Sequence, residues 1–160
     1  MSSQVLSSQV PVQPELAAWV RFLRAHAAIT RQLSARLEAQ HGLTLSDYDV
    51  LVQLYYAPER ALRRVDLART VLLTASGITR LLDGLERSGW VEKKACQSDA
   101  RVSYASLTKA GVAKFEAAAR SHRADIEELF GANFTAAERK QLAELLGRLP
   151  LHETSPACSA

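Results

Sequence analysis

The stretch Cys96–Gly111, CQSDARVSYASLTKAG, decides the fold. It opens with a polar turn, CQSDAR, that sets Asp99 two residues before Arg101. Val102 to Leu107 then reads as a strand. Trp90 to Ala95, just upstream, reads as its partner, so CQSDAR is the tip of a hairpin. Thr108 follows as the N-cap of a long helix. A charged hairpin tip that runs straight into a helix needs a purpose, and the flanking sequence supplies one.

Immediately before the hairpin stands TASGITRLLDGLERSGW, Thr74–Trp90. Thr74 is a capping residue. Ile78, Leu81, Leu82 and Leu85 recur at helical spacing and predict one buried face. Ser76, Thr79, Arg80, Asp83 and Arg87 fall away from it. Gly89 ends the helix in the left-handed position. Gly84, inside the helix, costs about 1 kcal/mol against alanine, and close packing is the expected reason for it. A short helix over about 64–69 precedes, joined by VLLTASG. Two short helices, the second with a polar outer face, and then a charged hairpin make a winged helix-turn-helix. The DNA major groove admits one helix, which must be amphipathic: buried on one side, polar on the other.

The rest of the chain is helical. Residues 1–13, rich in Ser, Gln, Val and Pro, read as a loose tail. Pro14 and Glu15 open a helix that runs to about Gln40, with Leu16, Trp19, Val20, Phe22, Leu23, Ala27, Ile29, Leu33 and Leu37 in a stripe too wide for one partner. Gly42 stops it. LTLSDYDVLVQLYYAP, Leu43–Pro58, predicts the next helix, with Ser46 as N-cap and Leu45 stapled to Val50. Beyond Thr108 the seam Val112, Phe115, Ala119, His122, Ile126 and Leu129 follows a heptad. His122 within it reads as a satisfied interface histidine. Thr135-x-x-Glu138 is a capping box for a last helix, with Leu142, Leu145, Leu146 and Leu149 on one face. Pro150 opens a second tail, 150–160. The fold class is therefore mainly α with a small β-hairpin wing. Residues 42–108 form the winged lobe, and 14–41 with 109–149 form a separate helical region.

Composition narrows the function. The 160 residues carry a net charge of +3, which permits a polyanionic partner without requiring one. Nine of the bases and only five of the acids fall between Arg60 and Arg101, so this block alone carries +4. Cys96 and Cys158 are too few for a disulfide framework. MSSQVLSSQVPVQ is not a signal peptide, and no apolar run is long enough to span a bilayer, so the cytoplasm is the expected compartment. The sequence shows no nucleophile–base pair, no paired carboxylates, no glycine-rich phosphate loop and no cluster at metal-ligand spacing. The expectation is a non-enzyme with no cofactor and no metal.

DARVSYASLTKAG resembles the MarR family of bacterial transcription regulators. The family pattern is an Asp, an Arg two on, a strand, then Leu-Thr-x-x-Gly. Here these are Asp99, Arg101, Leu107, Thr108 and Gly111. ASGITRLLDGLERSGWVEKK is similar to the family's recognition helix and first wing strand, and the resemblance covers about residues 14–149. It implies an obligate homodimer joined by the terminal helices, 14–41 and 109–149, on a pseudo-palindromic operator of double-stranded DNA. It implies Ser76, Thr79 and Arg80 as base or phosphate contacts, with Thr74 and Gly77 at the helix start. Arg101 becomes the wing contact, oriented by Asp99, with Lys93 and Lys94 as phosphate partners. It further implies a repressor released by a small aromatic or phenolic ligand held between the dimer helices and the lobe.

The residue chemistry is consistent with these roles. Arg80 is able to bridge a guanine edge in bidentate fashion. Arg101 suits the negative potential of a narrow minor groove, and a neighbouring aspartate holds the guanidinium in one pose. An ordinary hairpin ion pair is the plainer reading of Asp99 and Arg101. Lys93 and Lys94 alternate across a strand, so only one points at the DNA backbone. Trp19, Leu23 and His26 of the first helix and Tyr48, Val52 and Tyr55 of the second are candidates to bury a ring while offering a hydrogen bond. The same six also read as plain core and dimer contacts. Cys96, at the wing base beside Lys93 and Lys94, supports an alternative, an oxidant-sensing regulator.

Overall fold

Leucines drawn from successive helices converge on one strand, and their burial sets the architecture. A computed structural model describes residues 13–71, 75–95 and 102–150. After a 3-10 turn at Pro14–Leu16, helix α1 runs from Ala17 to His41. Gly42 ends it at φ 61°, a left-handed cap whose N–H reaches the Glu38 carbonyl.

Helix α2 spans Leu45–Tyr56, and its N-cap is Thr44 rather than Ser46. The Asp47 N–H donates to Thr44 Oγ1 at 3.1 Å, and the Thr44 N–H donates to the Asp47 carboxylate at 2.9 Å. This reciprocal box satisfies two donors, whereas a lone serine cap satisfies one. Strand β1 (Ala61–Arg63), helix α3 (Arg64–Thr70) and helix α4 (Ala75–Arg87) follow. Strands β2 (Val91–Ala95) and β3 (Ser103–Leu107) form the hairpin. Helix α5 (Lys109–Leu129) and helix α6 (Ala136–Leu146) follow, the latter opened by the expected Thr135–Glu138 box.

Among the described residues the sheet has three strands where a two-stranded hairpin was expected. Its order is β1-β3-β2, antiparallel, with Leu62 and Lys93 flanking Ala105. Three residues are too few to show alternation, so β1 left no pattern to read. It covers the edge that β3 would otherwise expose.

Leu43, Val50, Leu51, Leu54, Leu67, Leu82 and Ala105 are wholly shielded from solvent. Each such leucine contributes about 1.5–3 kcal/mol relative to exposure. In α4, Ile78, Leu82 and Leu85 are buried and Leu81 is half-buried, as the spacing predicted. The buried stripe of α5 is instead Gly111, Phe115, Ala118, His122 and Asp125. The 4-3 spacing of a heptad is kept, but the stripe runs through Gly111, Ala118 and Asp125 in place of Val112, Ala119 and Ile126, and Ile126 is left exposed.

Two junctions tie the parts together. Arg36 on α1 donates to Asp125 at 2.7 Å and bidentately to Glu128 at 2.8 Å on α5. Those hydrogen bonds hold the Glu128 carboxyl below its ordinary pKa. At the other junction the Thr108 N–H donates to the Trp90 carbonyl at 3.1 Å. Thr108 Oγ1 donates to the Gly89 carbonyl at 2.7 Å and accepts the Gly111 N–H at 3.0 Å. A Cβ at Gly111 would overlap the Trp90 carbonyl. Gly89, at φ 73°, takes the left-handed conformation expected of it.

Gly84 departs from expectation, because a Cβ built there meets nothing within 4 Å. Close packing does not explain it. Gly84→Ala should therefore raise stability by up to ~1 kcal/mol. Gly111→Ala, which forces a backbone carbonyl aside, should cost about 1–3 kcal/mol. Urea denaturation midpoints of the two variants should move in opposite directions; a matching shift would contradict the geometry.

Candidate nucleic-acid interface

The outer face of α4 is built by what its inner face buries. With Ile78, Leu82 and Leu85 packed inward, Thr79, Arg80, Asp83 and Arg87 stand exposed. Gly77 is half-buried in the first turn, and Ser76 lies in the same turn. Arg80, Asp83, Glu86 and Arg87 border an open concavity of about 700 Å³. Arg64 on α3 reaches Asp83 at 3.5 Å, and Arg87 Nε donates to the Asp83 carbonyl at 3.2 Å. The acid in the middle of this basic face is thereby partly neutralised, and α3 is tied to α4.

On the wing, Lys93 and Lys94 are both exposed. Lys94 pairs with Glu92 on the same face at 3.1 Å, and Lys93 lies on the opposite face by strand alternation. Thr74, Cys96, Asp99 and Arg101 lie outside the described residues. Arg64, one of the bases of the block between Arg60 and Arg101, carries no local signal in the sequence, because its partner becomes visible only once α3 and α4 are packed. Arg63 is similar: its Nε donates to the Tyr104 hydroxyl of β3 at 3.4 Å, through a strand that the sequence pattern did not show.

A profile described as MarR family matches residues 41–102. An uncharacterized HTH-type transcriptional regulator of Bacillus cereus (strain ATCC 14579) is 32% identical over 135 residues, which is 84% of this chain and 87% of that protein. The chain belongs to the MarR family. The HTH-type transcriptional regulator MhqR of Bacillus subtilis (strain 168) is 26% identical over 140 residues, 88% of this chain and 94% of that one. Among solved structures, the MarR family regulator Sco3205 of Streptomyces coelicolor, crystallised in complex with DNA, superposes with a TM-score of 0.79 at 27% identity. The superposition covers 86% of each chain.

The six residues singled out for an effector fall into two groups in this MarR-family chain. Trp19 stacks on Phe22, and Phe22 on His26, each at 6.2 Å, along α1; Leu23 is exposed beside them. Tyr48 packs on His122 at 4.6 Å and on Phe115 at 5.7 Å. Tyr55 packs on Phe115 at 4.4 Å and donates to Glu116 at 3.0 Å. Leu45, Ser46, Tyr48, Asp49 and Val52 border an open groove of about 360 Å³. Among the described residues no ring contact of a single chain joins the two groups. Among the described residues there is also no cluster of three or more potential metal ligands, and no helix long and apolar enough to cross a membrane.

Among the described residues of the single chain, His122 Nδ1 is buried without a hydrogen-bond partner. Burial pushes its pKa down, against the pull of Asp125. Burial also raises the Tyr48 phenol beside it, while Arg123 opposes that shift. The sign for stability follows. The unfolded chain takes up a proton on His122 near its ordinary pKa of 6.5, before the folded chain does. Folding thus goes unpenalised above that pH and loses stability as the pH falls below it. Unfolding free energies measured between pH 7.5 and 5.5 should fall for the wild type and stay flatter for His122→Phe. Parallel curves would contradict the assignment.

Proposed function

We propose that this MarR-family chain acts as a homodimer that reads a pseudo-palindromic operator in double-stranded DNA. The observation that carries the reading is α4 itself: a helix seated by Ile78, Leu82 and Leu85 that turns Thr79, Arg80 and Arg87 outward beside a basic wing. That arrangement fits one helix per major groove. Sco3205, similar over most of its length, was crystallised with DNA. Arg80 then contacts bases, Thr74, Ser76, Gly77 and Thr79 fit the helix into the groove, and one of Lys93 and Lys94 approaches phosphates. Arg101 enters the minor groove with Asp99 holding it.

The dimer has its own support. Leu16, Trp19, Phe22 and Leu23 near the start of the chain, Ile126 on α5, and Leu145 and Leu149 near its end are all exposed. Trp19 is 56% exposed and Leu149 46%. Large apolar side chains grouped in this way at the two ends of a chain mark an interface. Helix α6 is linked to α5 through the Arg139–Glu127 ion pair at 2.9 Å and the Phe130–Phe134 stack, so its leucines are available to a second copy. A second copy is also what would bring the α1 aromatics near the groove beside Tyr48, where a small aromatic effector would release the repressor. This is regulatory work in the cytoplasm, not catalysis. No observation favours the oxidant-sensing alternative through Cys96.

Fluorescence anisotropy on an inverted-repeat operator, at several salt concentrations, tests the interface. Arg80→Ala should cost about 1–3 kcal/mol of discrimination against altered half-sites. Arg101→Ala should weaken all sequences and lower the salt slope by about 1. Unchanged affinity and slope in both variants would refute the reading. Sedimentation tests the dimer: the wild type should run as a dimer and Leu145→Asp should shift it toward monomer, whereas a monomeric wild type would end the proposal.

A further inference from the structure

We infer that Lys114 is a positioning residue that sets the pose of the reading lobe against the helices of the dimer. The inference rests on the dimeric DNA-reading function proposed above. Lys114 lies in the second turn of α5 and is half-buried. Its ammonium donates to the carbonyl of His41, the last residue of α1, at 2.5 Å. The same ammonium stands 4.6 Å from the centroid of the Trp90 ring, in the turn between α4 and β2. One charge thus touches three segments: the end of the first helix, the exit of the reading helix, and the helix that joins them.

Each contact has a physical reason. The His41 carbonyl belongs to the last turn of a 25-residue helix, where carbonyls lack intrahelical donors and the helix dipole is negative. The Trp90 ring offers its negative face to a cation. An ammonium has three donors and no fixed plane, so it can serve both at once.

The two bodies it bridges are each held firmly without it. Trp90 moves with α4, because its N–H donates to the Leu85 carbonyl at 3.0 Å and its carbonyl accepts from Thr108. The end of α1 is fixed to α5 by the His41 Nε2–Ser121 Oγ hydrogen bond at 2.6 Å and by Arg36 on Asp125 and Glu128. Loss of the Lys114 ammonium therefore leaves both bodies folded and attached to α5, and loosens the angle between them. In a dimer that angle enters twice into the separation of the two α4 helices. That separation has to match one DNA turn, about 34–36 Å.

The test measures spacing rather than affinity alone. The probes are the inverted-repeat duplex that the full-length wild type enriches from a random DNA pool, and two versions with one base pair added or removed between the half-sites. The wild type should discriminate sharply among the three. Lys114→Met, which keeps the aliphatic stem, should lose about tenfold of that discrimination, the weight of one charge-assisted hydrogen bond. Its sedimentation as a dimer and its binding to random-sequence DNA should not change. Lys114→Arg, which keeps the cation, should recover most of the preference. A folded, dimeric Lys114→Met that retains wild-type spacing discrimination overturns the inference. A wild type that enriches no inverted repeat, or that sediments as a monomer, overturns instead the function on which it rests.

Discussion

The carbonyl oxygen of Trp90 is the point on which the arrangement of this molecule depends. It accepts the N–H of Thr108, and it lies so close to Gly111 that a side chain there would overlap it. The Thr108 hydroxyl closes the same corner by bonding Gly89 on one side and Gly111 on the other. The exit of α4, the return of β3 and the start of α5 are thereby fixed to one another by main-chain groups. Helix α4, held in this way, transmits its orientation to α5. Leu-Thr-x-x-Gly is thus a steric requirement of the corner: a threonine with a hydroxyl to donate and accept, and a glycine with no Cβ.

From that corner two sets of contacts spread. Toward the outer face of α4, Arg64 reaches the Asp83 carboxylate and so sets α4 against α3. Toward the terminal helices, Arg36 clasps two carboxylates of α5 while Tyr48, Tyr55, Phe115 and His122 pack as one aromatic layer between α2 and α5. The layer includes a buried imidazole nitrogen with no hydrogen-bond partner among the described residues. Such a group is costly in a dry interior and keeps this layer sensitive to protonation. The layer that joins lobe to helices is therefore less fully satisfied than the corner at Trp90.

Much of this was legible in the sequence, for identifiable reasons. The apolar spacing of Ile78, Leu82 and Leu85 gave α4 and its outer face. Gly42, Gly89, Thr108 and Thr135 marked helix ends because capping chemistry is local. What escaped was mostly tertiary. Strand β1 is three residues long and exists only because β3 offers it an edge. Thr44 displaced Ser46 as a cap because a reciprocal bond to Asp47 outweighs a single one. Arg64, His122 and Lys114 acquire meaning from partners 19, 74 and 73 residues away, which no local window reveals. The proposed wing contacts at Asp99 and Arg101 rest on the sequence motif alone, since both residues lie outside the described ones.

Hydroxyl-radical footprinting of the full-length protein on its selected operator tests the central claim most directly. Two copies, each presenting one α4 helix, should protect two patches on one face of the duplex, centred about one turn or 10 base pairs apart. Further protection should appear in the flanking minor grooves, where the wings reach. A single protected patch, or two patches on opposite faces of the DNA, would contradict a paired set of reading helices held at fixed separation.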